Sequence, residues 1–296
     1  MLPILTTGDD YVNLSSDEFN KLDDFIPLDV CHYTTKATGK IILETGNLRF
    51  SRLIDTNDPI ESKTRLYSDP EWKTDTGFWH KTGESLEDQL MAEWKLSCFS
   101  CHKNPIKHSF MNTDLRRLYA YNHGIFGIGY SSMWAHYGEK HKGICLLFNG
   151  RELDNNIKEN LEYKDYVVKH GFVKYDDIKV FLPVNRTDME FVDCDEEEKI
   201  RKSLIKNYKS NFLYKSTEWK SEYEFRWLVQ SRDPSILDIP IKKAIRSIVL
   251  GADFPDIEVN PLRKLCFSLG IPVSKITWVG GKPEINFFND SFSFNN

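Results

Sequence analysis

The sequence predicts a single mixed α+β domain preceded by a short N-terminal extension. A chain of 296 residues, of which 40% are hydrophobic and 13% aromatic, can bury a substantial core. Strand-like and helix-like patterns alternate along it, and the sequence contains no internal repeat, low-complexity tract or obvious linker. We therefore expect an extension over residues 1–27 and one domain over residues 28–296.

Helix and strand signals alternate through the first third of the chain. In the extension, a helix is expected to begin at Ser15 or Ser16, because serine caps free helix amides and two acids follow. The domain opens with "LDVCHYTT" as a buried strand, "KATGKIILETG" as a helix closed by Gly46, and "NLRFS" as a second strand. Residues 84–94 have the apolar period of a helix, and "KLSCFS" alternates as a strand.

The rest of the chain continues the mixed pattern. Residues 101–131 are polar and contain three glycines, which predicts a flexible loop or lid. "SSMWAHYGEKHKGICLLF" predicts a short helix that ends near Gly138, then a turn and a strand. "YKDYVVKH" and "FVKY" predict a hairpin around Gly171, and "DEEEKIRKSLIKNYKSNFLYKS" predicts a long helix. A strand, a helix near residues 258–269 and a final strand complete the domain.

Charge and cysteine usage restrict the functional class. The formal net charge of -5 argues against broad electrostatic binding of nucleic acid. No stretch approaches the roughly 18 apolar residues that a membrane-spanning helix needs, and the N-terminus lacks the pattern of a secretory signal. The six cysteines mostly lie in apolar runs, where a thiol behaves as a small hydrophobe. We expect a cytoplasmic protein with reduced thiols and no membrane association.

The stretch "KSTEWKSEYEFRWLV", residues 215–229, carries the densest chemistry. If it is a strand, Glu222, Glu224 and Arg226 share one face, and the other face is aromatic, with Tyr223, Phe225 and Trp227. Two carboxylates this close repel each other unless a cation, a hydrogen-bond network or a ligand intervenes, and Arg226 is such a cation. Two interpretations stay open: a structural ion-pair ladder, or the floor of a polar pocket that holds sugar hydroxyls or stabilises a developing cation.

A second candidate segment is "VCHYTT", which places His32, Tyr33 and Thr34 on a strand that leads into a helix. The first amides of that helix, with the threonine hydroxyls, suit an anion, and the imidazole suits a ribose hydroxyl or a ligand amide. The alternative is a structural histidine in an apolar strand.

Three further groups have a structural interpretation beside a functional one. Asn57 and Asp58 in "TNDPIE" bind a ligand or simply cap a helix. Trp134 and Tyr137 share a helix face, so they flank a planar ligand or belong to the core. The Cys and His residues of "CFSCHKNPIKH" resemble zinc ligands, but adjacent Cys and His would strain a tetrahedral site, and we predict no metal.

Taken in order, "HYTT" with "GNLRFS", "NDPIE", "LSCFS", "MWAHYGEKHKGICLLF" and "KSTEWKSEYEFRWLV" resemble the bacterial domain-of-unknown-function family 2971 over roughly residues 28–250. "CHYTTKATGKIILETGNLRFS" is also similar to the first strand-helix-strand of ADP-ribosyltransferases of the DNA-modifying toxin type. That resemblance implies a split, largely antiparallel sheet flanked by helices and clasping NAD.

The same resemblance implies roles for individual residues. His32 would hold the NAD ribose, Tyr137 or Trp134 would stack on nicotinamide, and Glu222 or Glu224 would bind ribose hydroxyls. A carboxylate there stabilises the oxocarbenium character that develops as the nicotinamide-ribose bond breaks. The complete expected site has Glu222, Glu224 and His32 as catalytic residues, and as NAD-binding residues His32, Tyr33, Thr34, Asn57, Asp58, Trp134, Tyr137 and Arg226.

The expected function is therefore an NAD-consuming enzyme, an ADP-ribosyltransferase or NAD glycohydrolase, in a toxin or anti-phage role. NAD is its substrate, no metal is needed, and the acceptor, protein or nucleic acid, stays open, as does the oligomeric state. One alternative is a non-catalytic module that senses a nucleotide or a phage component. Another is a metal-dependent nuclease that uses the carboxylates of Asp58, Glu61, Glu222 and Glu224.

Overall fold

A computed structural model describes residues 10–58, 61, 90–106, 127–161, 166–177, 196–233, 235–241 and 243–288. Its α-helices are α1 (Ser16–Asn20), α2 (Lys36–Thr45), α3 (Ser131–His136), α4 (Gly150–Leu161), α5 (Glu196–Lys206), α6 (Tyr208–Phe212) and α7 (Asp256–Ser268). Its strands are β1 (Asp29–Thr34), β2 (Asn47–Arg52), β3 (Trp94–Cys101), β4 (Ile144–Asn149), β5 (Val167–Phe172), β6 (Lys174–Tyr175), β7 (Tyr214–Lys215), β8 (Glu224–Gln230), β9 (Leu237–Pro240), β10 (Ile245–Leu250), β11 (Val273–Val279) and β12 (Lys282–Phe287). Short 3₁₀ helices cover Tyr11–Asn13, Leu53–Asp55 and Thr217–Glu222.

Ten of these strands form one large sheet, and its order confirms the α+β class. The path runs β12-β11-β10-β4-β1-β3-β2-β9, and β8 joins the far side of β3 and carries β5. The β10-β11 pair is parallel and the other pairs of this sheet are antiparallel. Helix α2 contacts β4 and α7, and helix α4 contacts β4 and β9, so helices flank the sheet. Within the described residues, no helix is long and apolar enough to cross a membrane.

The sheet forks along one edge of β3. The end of β3 pairs with β1, where Ser100 and Cys101 face Cys31 and Val30. Its beginning pairs with β2, where Lys95 and Leu96 face Arg52 and Ser51. Between these two ladders, residues 97–99 of β3 have no partner on this edge among the described strands, although β8 pairs along the opposite edge. The strands β1 and β2 therefore diverge and leave a gap between them.

The aromatic face predicted for β8 is confirmed in part. Phe225 and Trp227 are fully buried, and Trp227 meets Phe99 of β3 edge to face at 5.1 Å between ring centroids. The indole N–H of Trp227 donates to Asp154 on α4 over 3.0 Å, so its one polar group has a partner. Tyr223 lies before the strand and is only partly buried.

The strand predicted over residues 215–229 is wrong in its first half. After the two residues of β7, the chain forms the 3₁₀ helix Thr217–Glu222, and β8 begins only at Glu224. Ser216 caps this helix by accepting from the Glu218 amide, and Asp177 accepts from the Thr217 amide over 2.8 Å. The chain then reverses at Tyr223, whose φ of 47° lies in the left-handed region. Glu222 therefore does not belong to the strand face of Glu224 and Arg226.

Two other predictions are wrong for identifiable reasons. The hairpin around Gly171 does not form: Gly171 lies inside β5, which pairs with β8, while β6 pairs in parallel with β7. A Cβ on Gly171 would lie 2.5 Å from the Leu213 side chain, so this glycine permits close packing instead of a turn. The long helix is two helices, α5 and α6, separated at Asn207, whose ψ of 25° leaves the helical region.

Most of the other elements agree with the sequence where they are described, but strands β9 and β12 are not predicted, and β12 follows the strand expected to end the domain. Ser15 caps α1 and forms a capping box with Glu18, and Gly46 closes α2 with a φ of 68°. Of the predicted helix 84–94, residues 90–92 are helical and the earlier part lies outside the described residues, as does most of the 101–131 loop. Tyr11 and Leu22, from the segment expected to be an extension, are buried in the main core, and the Tyr11 hydroxyl donates to the Glu224 carbonyl over 3.1 Å.

Candidate active site

The gap between β1 and β2 opens into a cavity of about 240 Å³, which we call the fork cavity. Strands β1, β2, β3, β7 and β8, the segment that follows β2 and the end of α3 all contribute to it. Eight of the predicted site residues line it: His32, Tyr33, Asn57, Asp58, Tyr137, Glu222, Glu224 and Arg226. Thr34 and Trp134 do not line it. Long-range strand pairing thus brings residues from distant parts of the chain to one cavity.

Strand register places four of its polar side chains on one face. In the β3-β8 ladder, Cys98 lies opposite Arg226 and Ser100 lies opposite Glu224. Side chains directly opposite each other in an antiparallel pair point to the same face. The other face of both strands carries Phe99, Phe225 and Trp227 in the core. The alternation of β8 therefore separates a charged cavity face from an apolar core face.

Arg226 is the centre of the buried charges. Its Nε donates to Oε1 of Glu224 over 2.7 Å, and its Nη2 donates to Oε2 of Glu224 over 2.9 Å. The same Nη2 donates to Oε1 of Glu61 over 2.6 Å, and Nη1 donates to the Phe212 carbonyl over 2.8 Å. Burial acts to lower the pKa of Arg226, but the Glu224 and Glu61 charges outweigh it and raise the pKa. The guanidinium is therefore charged, and four hydrogen bonds fix its position.

Lys215 is a second buried cation, and the sequence-based site did not include it. Its Nζ donates to Oε2 of Glu222 over 2.7 Å and to Oε2 of Glu224 over 3.3 Å. Burial acts to lower its pKa, but Glu224 and Glu61 reverse the effect and raise the pKa above its usual value. We refer to Glu61, Lys215, Glu222, Glu224 and Arg226 as the charged cluster.

The two glutamates of the opening motif differ in protonation behaviour. Burial, followed by the nearby Glu224 charge, raises the pKa of Glu222 above its usual value despite Lys215. Burial also acts to raise the pKa of Glu224, but Arg226 and Lys215 outweigh it and lower that pKa. Neighbouring carboxyl groups whose environments separate their pKa values are a common arrangement at catalytic sites. The environment therefore favours the ionised form of Glu224 and the protonated form of Glu222.

Tyr137 connects the aromatic side of the fork cavity to this cluster. Its hydroxyl donates to Oε1 of Glu222 over 2.7 Å. Burial, followed by the Glu222 charge, raises the pKa of Tyr137, so the phenol stays protonated and remains a donor. Trp134, the other aromatic residue predicted to stack on a ligand, is fully buried in the core and meets Tyr33 edge to face at 5.0 Å. Only Tyr137 of the two presents its side chain to the cavity.

His32 occupies the gap between the two ladders of β3. Its Nδ1 lies 3.0 Å from the carbonyl oxygen of Cys98, on the stretch that neither β1 nor β2 pairs. Burial lowers the pKa of His32, although the bond to Cys98 opposes the effect, so the neutral imidazole is favoured. With Nδ1 donating its proton to the carbonyl, Nε2 is left as an acceptor for a ligand hydroxyl or amide.

The start of α2, where an anion was expected, is already occupied. Thr35 caps the helix by accepting from the Thr38 amide over 3.1 Å. The amide of Lys36 donates to the carboxylate of Glu139 over 3.0 Å. Glu139 itself lies in a turn of three residues with positive φ, Glu139, Lys140 and His141. An internal carboxylate thus binds at the helix start where the sequence predicts a bound anion.

Two members of the charged cluster lie outside the NAD site expected from the sequence. Glu61 belongs only to the nuclease alternative, and its position beside Arg226 depends on a contact across 165 residues. Lys215 stands at the first position of the quoted motif, where a search for a cation to balance two glutamates would have found it.

Among the described residues, no group of three or more His, Cys, Asp and Glu side chains is arranged to hold a metal ion.

Comparison with known proteins adds one match. The model of a family described as "Protein of unknown function (DUF2971)" matches residues 133–227. This segment holds Tyr137, Lys215, Glu222, Glu224 and Arg226, whereas His32 and Glu61 lie outside it. No curated protein and no solved structure matches the chain.

Proposed function

We propose that the protein is an NAD-consuming enzyme, an ADP-ribosyltransferase or an NAD glycohydrolase. One observation carries the proposal: the forked sheet brings His32 from β1 and Glu222 from the 3₁₀ helix before β8 into the lining of one cavity. The sequence resemblance to ADP-ribosyltransferases assigns a ribose-binding histidine and a catalytic glutamate to these two segments. A toxin or anti-phage role belongs to the same proposal.

Cleavage of NAD requires a hydrogen-bond acceptor that is held in place beside the reacting ribose. When the bond between nicotinamide and ribose breaks, its electron pair leaves with nicotinamide, and positive charge develops on the anomeric carbon and ring oxygen. In this proposal the Glu222 carboxylate accepts a hydrogen bond from a ribose hydroxyl and stabilises that charge. Nε2 of His32 accepts a hydrogen bond from a second ribose hydroxyl. The ring of Tyr137 stacks on nicotinamide.

The attacking group completes the reaction. Water, in a glycohydrolase, or a nucleophile of an acceptor molecule, in a transferase, forms the new bond to the anomeric carbon and loses a proton. In this proposal Glu222, whose pKa is raised, receives that proton. Glu224 contributes differently: both of its oxygens are bound by Arg226, so it anchors the cluster and supplies a constant negative charge.

The deciding experiment follows nicotinamide release from NAD by the purified protein, alone and with protein, nucleic acid or cell lysate as acceptor. Glu222→Gln is expected to lower the rate by about 100-fold or more, as loss of one preorganised polar group does at many active sites. His32→Ala is expected to raise KM for NAD. The matched control is Glu218→Gln, an exposed carboxylate on the same 3₁₀ helix as Glu222. Absence of nicotinamide release from the wild-type chain under every acceptor condition removes the proposal.

A non-catalytic nucleotide-binding module is the second candidate. It is favoured by the ion pairs of Glu224, since a carboxylate bound by Arg226 on both oxygens serves a rigid binding site well. It predicts that NAD raises Tm while no nicotinamide is released. The nuclease hypothesis has weaker support, because Lys215 and Arg226 already form ion pairs with three of its four carboxylates, Glu61, Glu222 and Glu224.

A further inference from the structure

Lys215 is delivered to the charged cluster by a separate structural unit. Strand β7 pairs with β6 in a two-stranded parallel sheet that is not part of the large sheet. The Lys215 carbonyl accepts from the Asp176 amide over 3.0 Å, and Asp177 binds Ser216 and Thr217 just beyond it. The segment that follows β6 therefore holds the backbone at Lys215 and at the two residues after it, and the Lys215 side chain enters the cluster.

The ammonium group of Lys215 is enclosed by two carboxylates and an aromatic ring. Glu222 and Glu224 accept from it over 2.7 and 3.3 Å, and its Nζ lies 4.8 Å from the ring centroid of Trp219. Lys215 and both glutamates are at most 4% exposed. An aromatic face beside a buried ammonium stabilises the charged form and leaves its hydrogen bonds directed at the carboxylates.

Charge balance shows what the ammonium does for Glu222. The charged cluster contains three carboxylates and two cations, which sum to one negative charge when all are ionised. The groups that face Glu222 are Tyr137 after α3, Lys215 on β7, and Glu224 with Arg226 on β8. Arg226 donates to Glu224, to Glu61 and to the Phe212 carbonyl. Within the described part of the chain, Lys215 is therefore the cation that donates a hydrogen bond to Glu222.

We propose that Lys215 is a positioning residue that keeps Glu222 ionised. Its ammonium group holds the Glu222 carboxylate in the lining of the fork cavity, in contact with the Tyr137 hydroxyl. In this arrangement Lys215 occupies one oxygen, Oε2, while Tyr137 occupies Oε1 with a single hydrogen bond. Each carboxylate oxygen accepts more than one hydrogen bond, so Glu222 keeps acceptor capacity for a ligand. The inference rests on the proposed function for its catalytic meaning, but its test does not require turnover.

The test is a titration of the Glu222 carboxyl carbon by ¹³C NMR in protein labelled at glutamate Cδ, assigned with Glu222→Gln. Lys215→Met removes the charge at similar length, and the Glu222 pKa is expected to rise by about one to three units. Lys215→Arg retains a charge and should keep the pKa near that of the wild type. The matched control is Lys220→Met, an exposed lysine on the neighbouring 3₁₀ helix, which should leave the titration unchanged. An unchanged Glu222 pKa in folded Lys215→Met overturns the proposal.

A measurement on the unmodified protein covers the case in which Lys215→Met does not fold. The ¹⁵Nζ resonance of Lys215 is expected to shift as Glu222 takes up its proton, with the same midpoint as the Glu222 carbon signal. A Lys215 signal that does not change through that midpoint contradicts the proposal. Both readouts stand if no nicotinamide is ever released, so failure of the proposed function and failure of this inference give different results.

Discussion

The hydroxyl of Tyr137 donates to Oε1 of Glu222 over 2.7 Å and so joins the aromatic side of the fork cavity to its charged side. Tyr137 follows α3, whereas Glu222 ends the 3₁₀ helix before β8, and 85 residues separate them. This bond orients the carboxylate whose pKa is raised by burial. It also fixes the ring that lines the cavity.

Tyr137→Phe tests the two roles of this residue separately. The hydrogen bond lowers the pKa of Glu222, so its removal should raise that pKa and move the acid limb of the nicotinamide-release profile to higher pH. The ring remains, and KM for NAD should change little, whereas Tyr137→Leu should raise KM. The measurement is kcat and KM from pH 4 to pH 8. Equal effects of the two substitutions on KM would refute a stacking role for the ring.

Glu224 and Glu222 are expected to change stability with pH in opposite directions. Because the pKa of Glu224 is lowered by folding, its carboxylate stabilises the folded chain above the unfolded pKa, near 4.5, and the contribution is lost as pH falls. Because the pKa of Glu222 is raised, its contribution is complete below the unfolded pKa and is lost as pH rises through the folded value.

Urea unfolding of Glu224→Gln and Glu222→Gln from pH 3 to pH 7 measures both signs. The destabilisation by Glu224→Gln should grow with pH to about 3 to 5 kcal/mol at neutral pH, since it breaks a buried ion pair. The destabilisation by Glu222→Gln should shrink as the pH rises above 4.5. Parallel curves for the two variants would contradict the assignment of opposite pKa shifts.

Arg226 should be the most costly member of the charged cluster to remove. Arg226→Met leaves Glu61 and Glu224 buried without their shared cation, for a loss of about 3 to 5 kcal/mol in the free energy of unfolding. Arg226→Lys keeps the charge but not the paired donors, so its loss should be smaller. Arg232, whose side chain is 71% exposed beside Glu198, is the control, and Arg232→Met should cost less than about 1 kcal/mol. A loss below about 1 kcal/mol for Arg226→Met would show that the charged cluster does not stabilise the fold.

Gly171→Ala should destabilise the chain although it lies within a strand. The added methyl group would approach the Leu213 side chain to 2.5 Å, and overpacking of this kind costs about 1 to 3 kcal/mol. Combining it with Leu213→Ala should recover part of that loss, which a double-mutant cycle from urea unfolding measures. Strict additivity would show that the two sites do not contact each other.

The sequence predicts local patterns of this fold better than its long-range pairing. The alternation of residues 224–227 correctly separated Glu224 and Arg226 from Phe225 and Trp227, because period two follows from strand geometry alone. The sequence places Glu222 on the wrong element, since the 3₁₀ helix that ends at Glu222 is bound at its start by Asp177, 40 residues from Thr217. No local pattern encodes such a partner.

The site followed the same rule. Tyr137 and Trp134 share a helical spacing, and only tertiary packing decides that Trp134 enters the core while Tyr137 reaches the cavity. Glu61 meets Arg226 across 165 residues, and the fork itself exists because β3 pairs with two strands along one edge. A single sequence does not predict these long-range contacts, whereas it does show which residue types suit the chemistry.

The fork of β3 also determines when the cavity can exist during synthesis. Strands β1, β2 and β3 leave the ribosome first, but the face that carries Glu224 and Arg226 arrives only with β8, beyond residue 223. Until then a nascent chain has His32 without its opposing carboxylates. Contacts between segments so far apart close late and slowly in folding. A ribosome-bound chain that stops before β8 therefore carries an incomplete site, and any activity of this cavity requires synthesis to have passed Gln230.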